Sequence, residues 1–212
     1  TEHTFFAGIQ ALPEAHWLLR EHGATQSYRY WSLPSPDPTQ LSTRLPAAQL
    51  QCAADEFGAL LLDSVKLRLR SDVTVGTCLS GGLDSSTIVC LANRLLFPEG
   101  SGDAAVDERW HLRGEQQKTF SACYDDAGID ERPYIEAVIR RTGAASHLTF
   151  PRGEDLFETL HAVVWHQDEP FLSTSIVAQW EVMRLARAHG VKVLLDGQGA
   201  DELLCGYPGY VG

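Results

Sequence analysis

Basic character is what this sequence lacks most. Across 212 residues it carries 17 Lys and Arg against 28 Asp and Glu, a formal net charge of −11, and no basic run appears anywhere. Proteins that track nucleic-acid backbones need a basic face to displace counterions, so that class is set aside. Cysteine is sparse as well. Cys52, Cys78, Cys90, Cys123 and Cys205 are odd in number, far apart, and form no Cys-x-x-Cys pair or Cys/His cluster. This spacing excludes a disulfide framework and structural zinc, and leaves buried free thiols in a reducing cytoplasm as the expectation. No apolar run approaches the ~20 residues that span a bilayer, and no secretory leader is visible. The expected location is therefore cytoplasmic, without membrane or nucleic-acid partners. Also missing is Gly-x-x-x-x-Gly-Lys-[Ser/Thr], which removes the usual P-loop phosphotransferase reading. There is no internal repeat and no low-complexity tract.

What is present is ordinary globular material, 44% apolar and 21% charged, long enough for one good core and a small appended piece. The first residue is Thr1 rather than methionine, and Gly212 ends a Gly/Tyr-rich stretch. A longer parent polypeptide, cut at both ends, is the expectation. Thr1 could serve as an amine-activated nucleophile, but nothing near it supplies an oxyanion site.

The opening residues Thr4 to Ile9, Ala11 to Pro13, and Tyr28 to Trp31 read as two or three short strands broken by Pro and Gly. Pro34, Pro36, Pro38 and Pro46 mark residues 34–46 as an extended linker. From Ala47 to Arg70, Leu50, Ala54, Phe57, Leu61 and Val65 recur at helical spacing, and Arg68 and Arg70 suit the negative helix pole. Val73 to Leu79 reads as a buried parallel strand, followed by a helix from Ser85 to Leu96. Residues 97–117 read as an exposed excursion. The alternation resumes with a strand over Thr119–Tyr124, a helix capped by Asp130, a strand over Ser146–Phe150, and helices over 154–165 and 173–189. Val191 to Leu195 is the last strand. Strands and helices alternating at these lengths predict an α/β fold, a parallel sheet with helices on both faces.

The densest chemistry lies in Ser80-Gly81-Gly82-Leu83-Asp84-Ser85-Ser86, at a strand-to-helix junction. Two glycines permit close backbone approach and positive φ. Ser85 and Ser86 open a helix whose free amides and dipole favour an anion. Asp84 is unwelcome beside phosphate unless a hard cation bridges the two. The alternative is a plain glycine turn with a serine N-cap.

This segment resembles the PP-loop of the ATP pyrophosphatases, which cleave ATP between the α and β phosphates and form adenylylated intermediates. A second segment, Asp196-Gly197-Gln198-Gly199-Ala200-Asp201-Glu202, running on to Gly206-Tyr207, is similar to a strand-end loop of glutamine-dependent asparagine synthetases. The resemblance implies an adenine-nucleotide α-hydrolase-like (PP-loop) fold. It implies ATP and Mg²⁺ as cofactors, with Asp84 and Asp201 as metal-holding catalytic residues. Leu79, Ser80, Gly81, Gly82, Asp84, Ser85, Ser86, Ala122, Asp196 and Gly197 would contact the nucleotide. Without a metal, Asp201 and Glu202 would simply favour a helix dipole.

The position of Gln198 is often glutamate in that family, so its part in handling the intermediate is in question here, and Cys205 replaces a small residue as tolerated packing. Trp165 to Phe171 is similar to the family's Asp-Glu-Pro stretch beside the substrate pocket. Glu169 and Gln198 therefore become weak substrate-binding candidates, though Asp168 and Glu169 read equally well as polar loop residues. His161 and His166 lack metal-ligand spacing and read as structural.

The resemblance assigns residues 1–33 to the last strands of a glutaminase domain, whose catalytic cysteine is absent, 34–46 to a linker, and 47–212 to the synthetase domain. An essential lysine is implied beyond residue 212. The implied reaction adenylylates the aspartate side chain and lets ammonia from glutamine displace AMP. β-Lactam synthetases and lasso-peptide cyclases share the domain with other carboxylate acceptors, and a nucleotide-binding fragment without turnover is the third reading.

Overall fold

The computed structural model describes residues 2–35, 45–97, 116–126, 128, 130–171, 173–207 and 209. Most of the expected linker and excursion therefore lies outside the described residues. In chain order the elements are β1 (His16–Glu21), β2 (Ala24–Arg29), α1 (Ala47–Arg68), β3 (Val75–Cys78), α2 (Leu83–Leu96), β4 (Lys118–Ala122) and α3 (Arg132–Thr142). They continue with β5 (Ala145–Thr149), a 3-10 turn (Gly153–Asp155), α4 (Leu156–Gln167), α5 (Ser175–Ala188), β6 (Val193–Leu195) and α6 (Ala200–Leu204). The chain divides into two compact units, Thr1–Ala53 and Ala54–Gly212.

In the first unit, β1 and β2 form an antiparallel hairpin with Trp17 opposite Tyr28, their rings stacked 4.5 Å apart. This hairpin lies mostly between the segments read as strands from sequence, and takes in only Tyr28 and Arg29 of the Tyr28–Trp31 run. His22 and Gly23 both take positive φ, 49° and 83°, which is the two-residue turn that matches strand twist. Histidine is an uncommon first residue for such a turn, so the signal was easy to miss. Of the other expected opening strands only a His3–Gln10 bridge forms.

In the second unit, four parallel strands lie in the order β5-β4-β3-β6. Val65 of α1 and Leu69 just after it join Val75, Ala92, Leu96 and Leu195 in one core cluster, and Leu79, Val89, Cys123 and Ile135 form another that draws on α2 and α3. A third cluster joins Phe120 to Val182, Ala186 and Val191, placing α5 on the opposite face. Helices thus cover both faces, as the alternation implied. Gly76 is where β3 meets this third cluster. A Cβ there would come within 2.9 Å of Leu194 Cδ2 and Phe120 Cε2, so the strand must be bare for those side chains to fill the layer.

Local signals explain the element starts. Asp130 Oδ1 accepts the Arg132 N–H at 3.0 Å and fixes the entry of α3, although Glu131 occupies the cap position itself. At the start of α5, Ser173 Oγ accepts the Ser175 N–H, while Thr174 makes no side-chain cap bond. The thiols are less uniformly buried than expected. All five are free, but Cys52 and Cys205 are exposed because they lie on polar-facing positions of α1 and at the end of α6. No helix among the described residues is long and apolar enough to cross a membrane.

On β5, His147 packs against the Phe120 ring, 5.0 Å away, and the His189 ring, 3.8 Å away. Its Nε2 is buried without a hydrogen-bond partner. Burial holds its pKa below the usual 6.5, and nearby His189 and Lys118 push it in the same direction. The folded chain therefore keeps His147 neutral while the unfolded chain protonates it. Its stabilising contribution is complete above the unfolded pKa and is lost as pH falls below 6.5. Melting temperature should accordingly drop between pH 7.5 and 5.5, and His147→Phe, which retains ring stacking without titrating, should reduce that drop. An equal drop in both proteins would contradict the assignment.

Candidate active site

Sheet order and chain order part at β3. The chain moves from β3 to β4 and β5 on one side, then returns through β6 to the other side of β3. Loops leaving the carboxyl ends of strands at such a reversal diverge and open a crevice. The two sequence motifs occupy these loops, after β3 and after β6.

A cleft of about 320 Å³ lies between them. The first loop contributes Cys78, Ser80, Gly82, Asp84 and Ser85 to its wall. The second contributes Asp196, Gly197, Gln198, Gly199, Asp201 and Glu202, joined by Tyr207 and by Glu131 from the start of α3. Among the described lining residues there are five carboxylates and no lysine or arginine.

Hydrogen bonds within the first loop fix its shape. Ser85 Oγ accepts the Ser80 N–H at 3.1 Å and lies 2.9 Å from Ser80 Oγ, which in turn accepts the Gly82 N–H. Ser85 is buried, so its hydroxyl braces the loop from within. α2 begins at Leu83, two residues earlier than expected, which puts Asp84 in the first helical turn. Ser86, expected to offer a free amide, already donates to Gly82 O at 3.1 Å. The amides left without intrahelical partners by helix geometry are those of Leu83, Asp84 and Ser85. Gly81 has φ +94°, and a Cβ there would meet Glu131 Cβ and O at 3.0 Å. The β3 loop thus rests directly on the start of α3.

The second loop closes on the first at Gly197. A Cβ at this position would lie 3.1 Å from Ser85 N and 3.2 Å from Asp84 Cβ, so only hydrogen leaves the helix terminus clear. Asp196 Oδ1 accepts the Gly197 N–H at 2.6 Å, and the carboxylate also engages the Cys78 thiol. Burial, reinforced by the charge of Asp196 and this hydrogen bond, pushes the Cys78 thiol up to about 12, which keeps it protonated and unreactive. Glu202 accepts from Tyr207 Oη at 2.8 Å.

The structure thus gathers Ser80, Gly82, Asp84, Ser85, Asp196, Gly197, Gln198 and Asp201 in one cleft. Leu79, Gly81, Ser86 and Ala122 do not line it. Leu79 and Ala122 lie at the carboxyl ends of β3 and β4. Glu169 is on the exposed loop after α4 and is also outside the lining. Residues that sequence reasoning missed are Cys78, Glu131, Gly199, Glu202 and Tyr207. A sixth is Arg68 at the end of α1. It lines an adjoining, largely apolar groove of about 750 Å³ that shares Asp84 and residues 196–199 with the cleft. Arg68 donates to Ser64 O and Oγ. Its helical spacing from Val65 and Leu61 was the available signal.

Cys205 is constrained by conformation rather than packing. It is exposed and sits at φ +56° as the C-cap of α6, where the next N–H, that of Gly206, donates to Asp201 O at 2.9 Å. A left-handed conformation costs a non-glycine residue roughly 1–2 kcal/mol. Cys205→Gly should therefore raise stability by up to about 1 kcal/mol after glycine's greater unfolded-state entropy is subtracted. Chemical denaturation showing equal or lower stability would contradict this.

Comparison with known proteins agrees with this geometry. The family model described as "Asparagine synthase" matches residues 56–211. The chain is 30% identical to amidase chyE of Penicillium rubens across 98% of its own length, and 26% identical to amidase chry2 of Gibberella zeae across 98%. It is 33% identical to asparagine synthetase [glutamine-hydrolyzing] 1 of Bacillus subtilis over 69% of its length. The chain spans 30% of the length of each amidase and 20% of the synthetase. With its two motif loops meeting at the sheet's switch point and most of its length matched, this chain belongs to the asparagine synthase family.

Proposed function

We propose that this chain supplies the ATP-binding part of an amide-forming ligase that adenylylates a carboxylate. The observation that carries the reading is the convergence of Asp84 and Asp201, from separate loops, on a cleft with no lysine or arginine among its described lining residues. Phosphates cannot enter such a cleft favourably without a cation. The donors suit Mg²⁺, which takes a few carboxylates and fills its remaining positions with water and phosphate oxygens. Bound there by Asp84 and Asp201, it would neutralise charge on the pyrophosphate leaving group.

The chain's own groups would do the rest. The amides of Leu83, Asp84 and Ser85 face the phosphates, and the backbone at Leu79, Ala122 and Gly197 cradles adenine and ribose. Ser80 and Ser85 hold the loop in shape before the nucleotide arrives. On this reading, which the asparagine synthetases among the relatives support, the acceptor would be the aspartate side chain and the nitrogen ammonia from glutamine, giving asparagine, AMP and pyrophosphate. Residues 1–33 belong, on this reading, to a glutaminase domain, 34–46 to a linker and 47–212 to the synthetase domain, in a cytoplasmic enzyme.

A second reading has one specific support. Position 198 is glutamine, where the synthetases it resembles often carry glutamate. The same adenylylation would then act on a different carboxylate.

Adenylylation needs preorganised positive charge at the reacting phosphorus, and the described residues that line the cleft include no lysine or arginine. We therefore expect ATP–Mg²⁺ binding by this chain with little carboxylate-dependent pyrophosphate exchange, and exchange once the chain is extended past Gly212. Assaying the extended protein with aspartate and a panel of other carboxylic acids separates the two acceptor readings. Equal aspartate-dependent exchange by the 212-residue and extended chains would contradict the expectation.

A further inference from the structure

Amide formation from an acyl-adenylate has a proton requirement that the cleft must meet, and the following inference rests on the adenylylation reading above. When ammonia attacks the acyl carbon, a C–N bond forms and the C–O bond to AMP breaks, its electron pair leaving on the phosphate. The nitrogen must lose one proton, or the charged adduct expels ammonia again. Overall, acyl-adenylate plus ammonia gives amide, AMP and one proton, and that proton needs an acceptor within reach.

Most groups in the cleft are already committed. Cys78 is held protonated and donates to Asp196, which also accepts the Gly197 N–H. The hydroxyls of Ser80 and Ser85 are engaged with each other. Glu202 accepts from Tyr207. Asp84 and Asp201 are assigned to the cation, and the amide of Gln198 has no useful basicity.

Glu131 remains. Its side chain makes no hydrogen bond or ion pair within the described residues, and it borders the cleft from the α3 side. Its position is built. Asp130 Oδ1 clasps both N–H and Nε of Arg132, at 3.0 and 2.8 Å, and Arg132 Nη1 reaches Asp125 at 3.3 Å. That clasp fixes the residue between them, whose Cβ and carbonyl pack where Gly81 has no side chain. We propose that Glu131 is the proton acceptor for the amide-forming step. Partial burial raises its carboxyl above the ordinary range, which makes it a better base than a fully solvated glutamate.

The test uses the full-length polypeptide, wild type and Glu131→Gln, with three readouts: carboxylate-dependent pyrophosphate exchange, amide formation from ammonium chloride, and hydroxamate formation from hydroxylamine. Hydroxylamine is a strong nucleophile that loses its proton readily to water. Glu131→Gln should retain exchange and hydroxamate formation while ammonia-dependent amide formation falls about 100-fold or more. Its acid limb in the pH–rate profile should also disappear, and Glu131→Asp should recover part of the rate. Unchanged amide formation would overturn the proposal, as would exchange falling in step with amide formation, which would mark Glu131 as a support for the loop. Absence of exchange by the wild type with every acid tested would refute the adenylylation reading itself, and this inference with it.

Discussion

Replacing Gly197 by valine should abolish most ATP binding while leaving a folded protein. The position sits against the amino terminus of α2, with Ser85 N 3.1 Å and Asp84 Cβ 3.2 Å from where a Cβ would stand. Backbone atoms cannot swing aside as a flexible side chain would, so the two loops must separate by a few tenths of an ångström. The branched valine would also shield the Ser85 amide, one of the three amides with no helical partner. A hydrogen bond to a charged group contributes ~1.5–3 kcal/mol, so losing one costs roughly 10- to 100-fold in affinity. Loop displacement adds to that loss. The fold should survive because Gly197 follows β6 and is only partly buried. Calorimetric titration with ATP–Mg²⁺, alongside thermal melts, checks both halves of the expectation. Wild-type affinity in a correctly folded Gly197→Val protein would mean that the phosphates do not approach this junction.

The second large effect is expected at Asp84. Asparagine keeps its shape and most of its hydrogen bonding but removes the negative charge that a hard cation needs. Disturbing mere outer-shell partners of a metal costs ~10- to 100-fold in affinity, and a direct carboxylate ligand should cost no less. The signature is specific: Asp84→Asn should weaken ATP binding strongly in the presence of Mg²⁺. Without the metal, the difference should shrink or reverse, because a carboxylate facing phosphate is then repulsive. A binding loss independent of Mg²⁺ would point to a structural role for Asp84 in the first turn of α2. Unchanged affinity would remove the metal assignment.

The parts of this molecule most legible in sequence were those where one signal had one structural meaning. The run from Val73 to Leu79 could only be a buried strand, and the Gly-Gly pair after it could only be a tight loop feeding a helix. The four strands and their alternation with helices followed in the same way. What escaped reading depended on contacts distant in sequence. Glu131 carries no signal of its own in the sequence, and only the packing of the α3 start on Gly81 places it in the cleft. Arg68 looked like a dipole partner, and only the course of α1 beside β6 places it in the adjoining groove. Cys205 read as packing because positive φ at a non-glycine residue leaves no mark in sequence. The hairpin was misplaced for a related reason, since His22 adopts a turn conformation usually signalled by asparagine or glycine.

The central claim is that the amino terminus of α2 and the loop after β6 together hold the phosphates of ATP. Amide-resolved NMR of this chain titrated with ATP–Mg²⁺ tests it most directly. The account predicts saturable shifts concentrated at residues 80–86 and 196–202, greatly reduced when Mg²⁺ is removed by chelation. Binding with shifts confined elsewhere, or no saturable shifts at all, would contradict it.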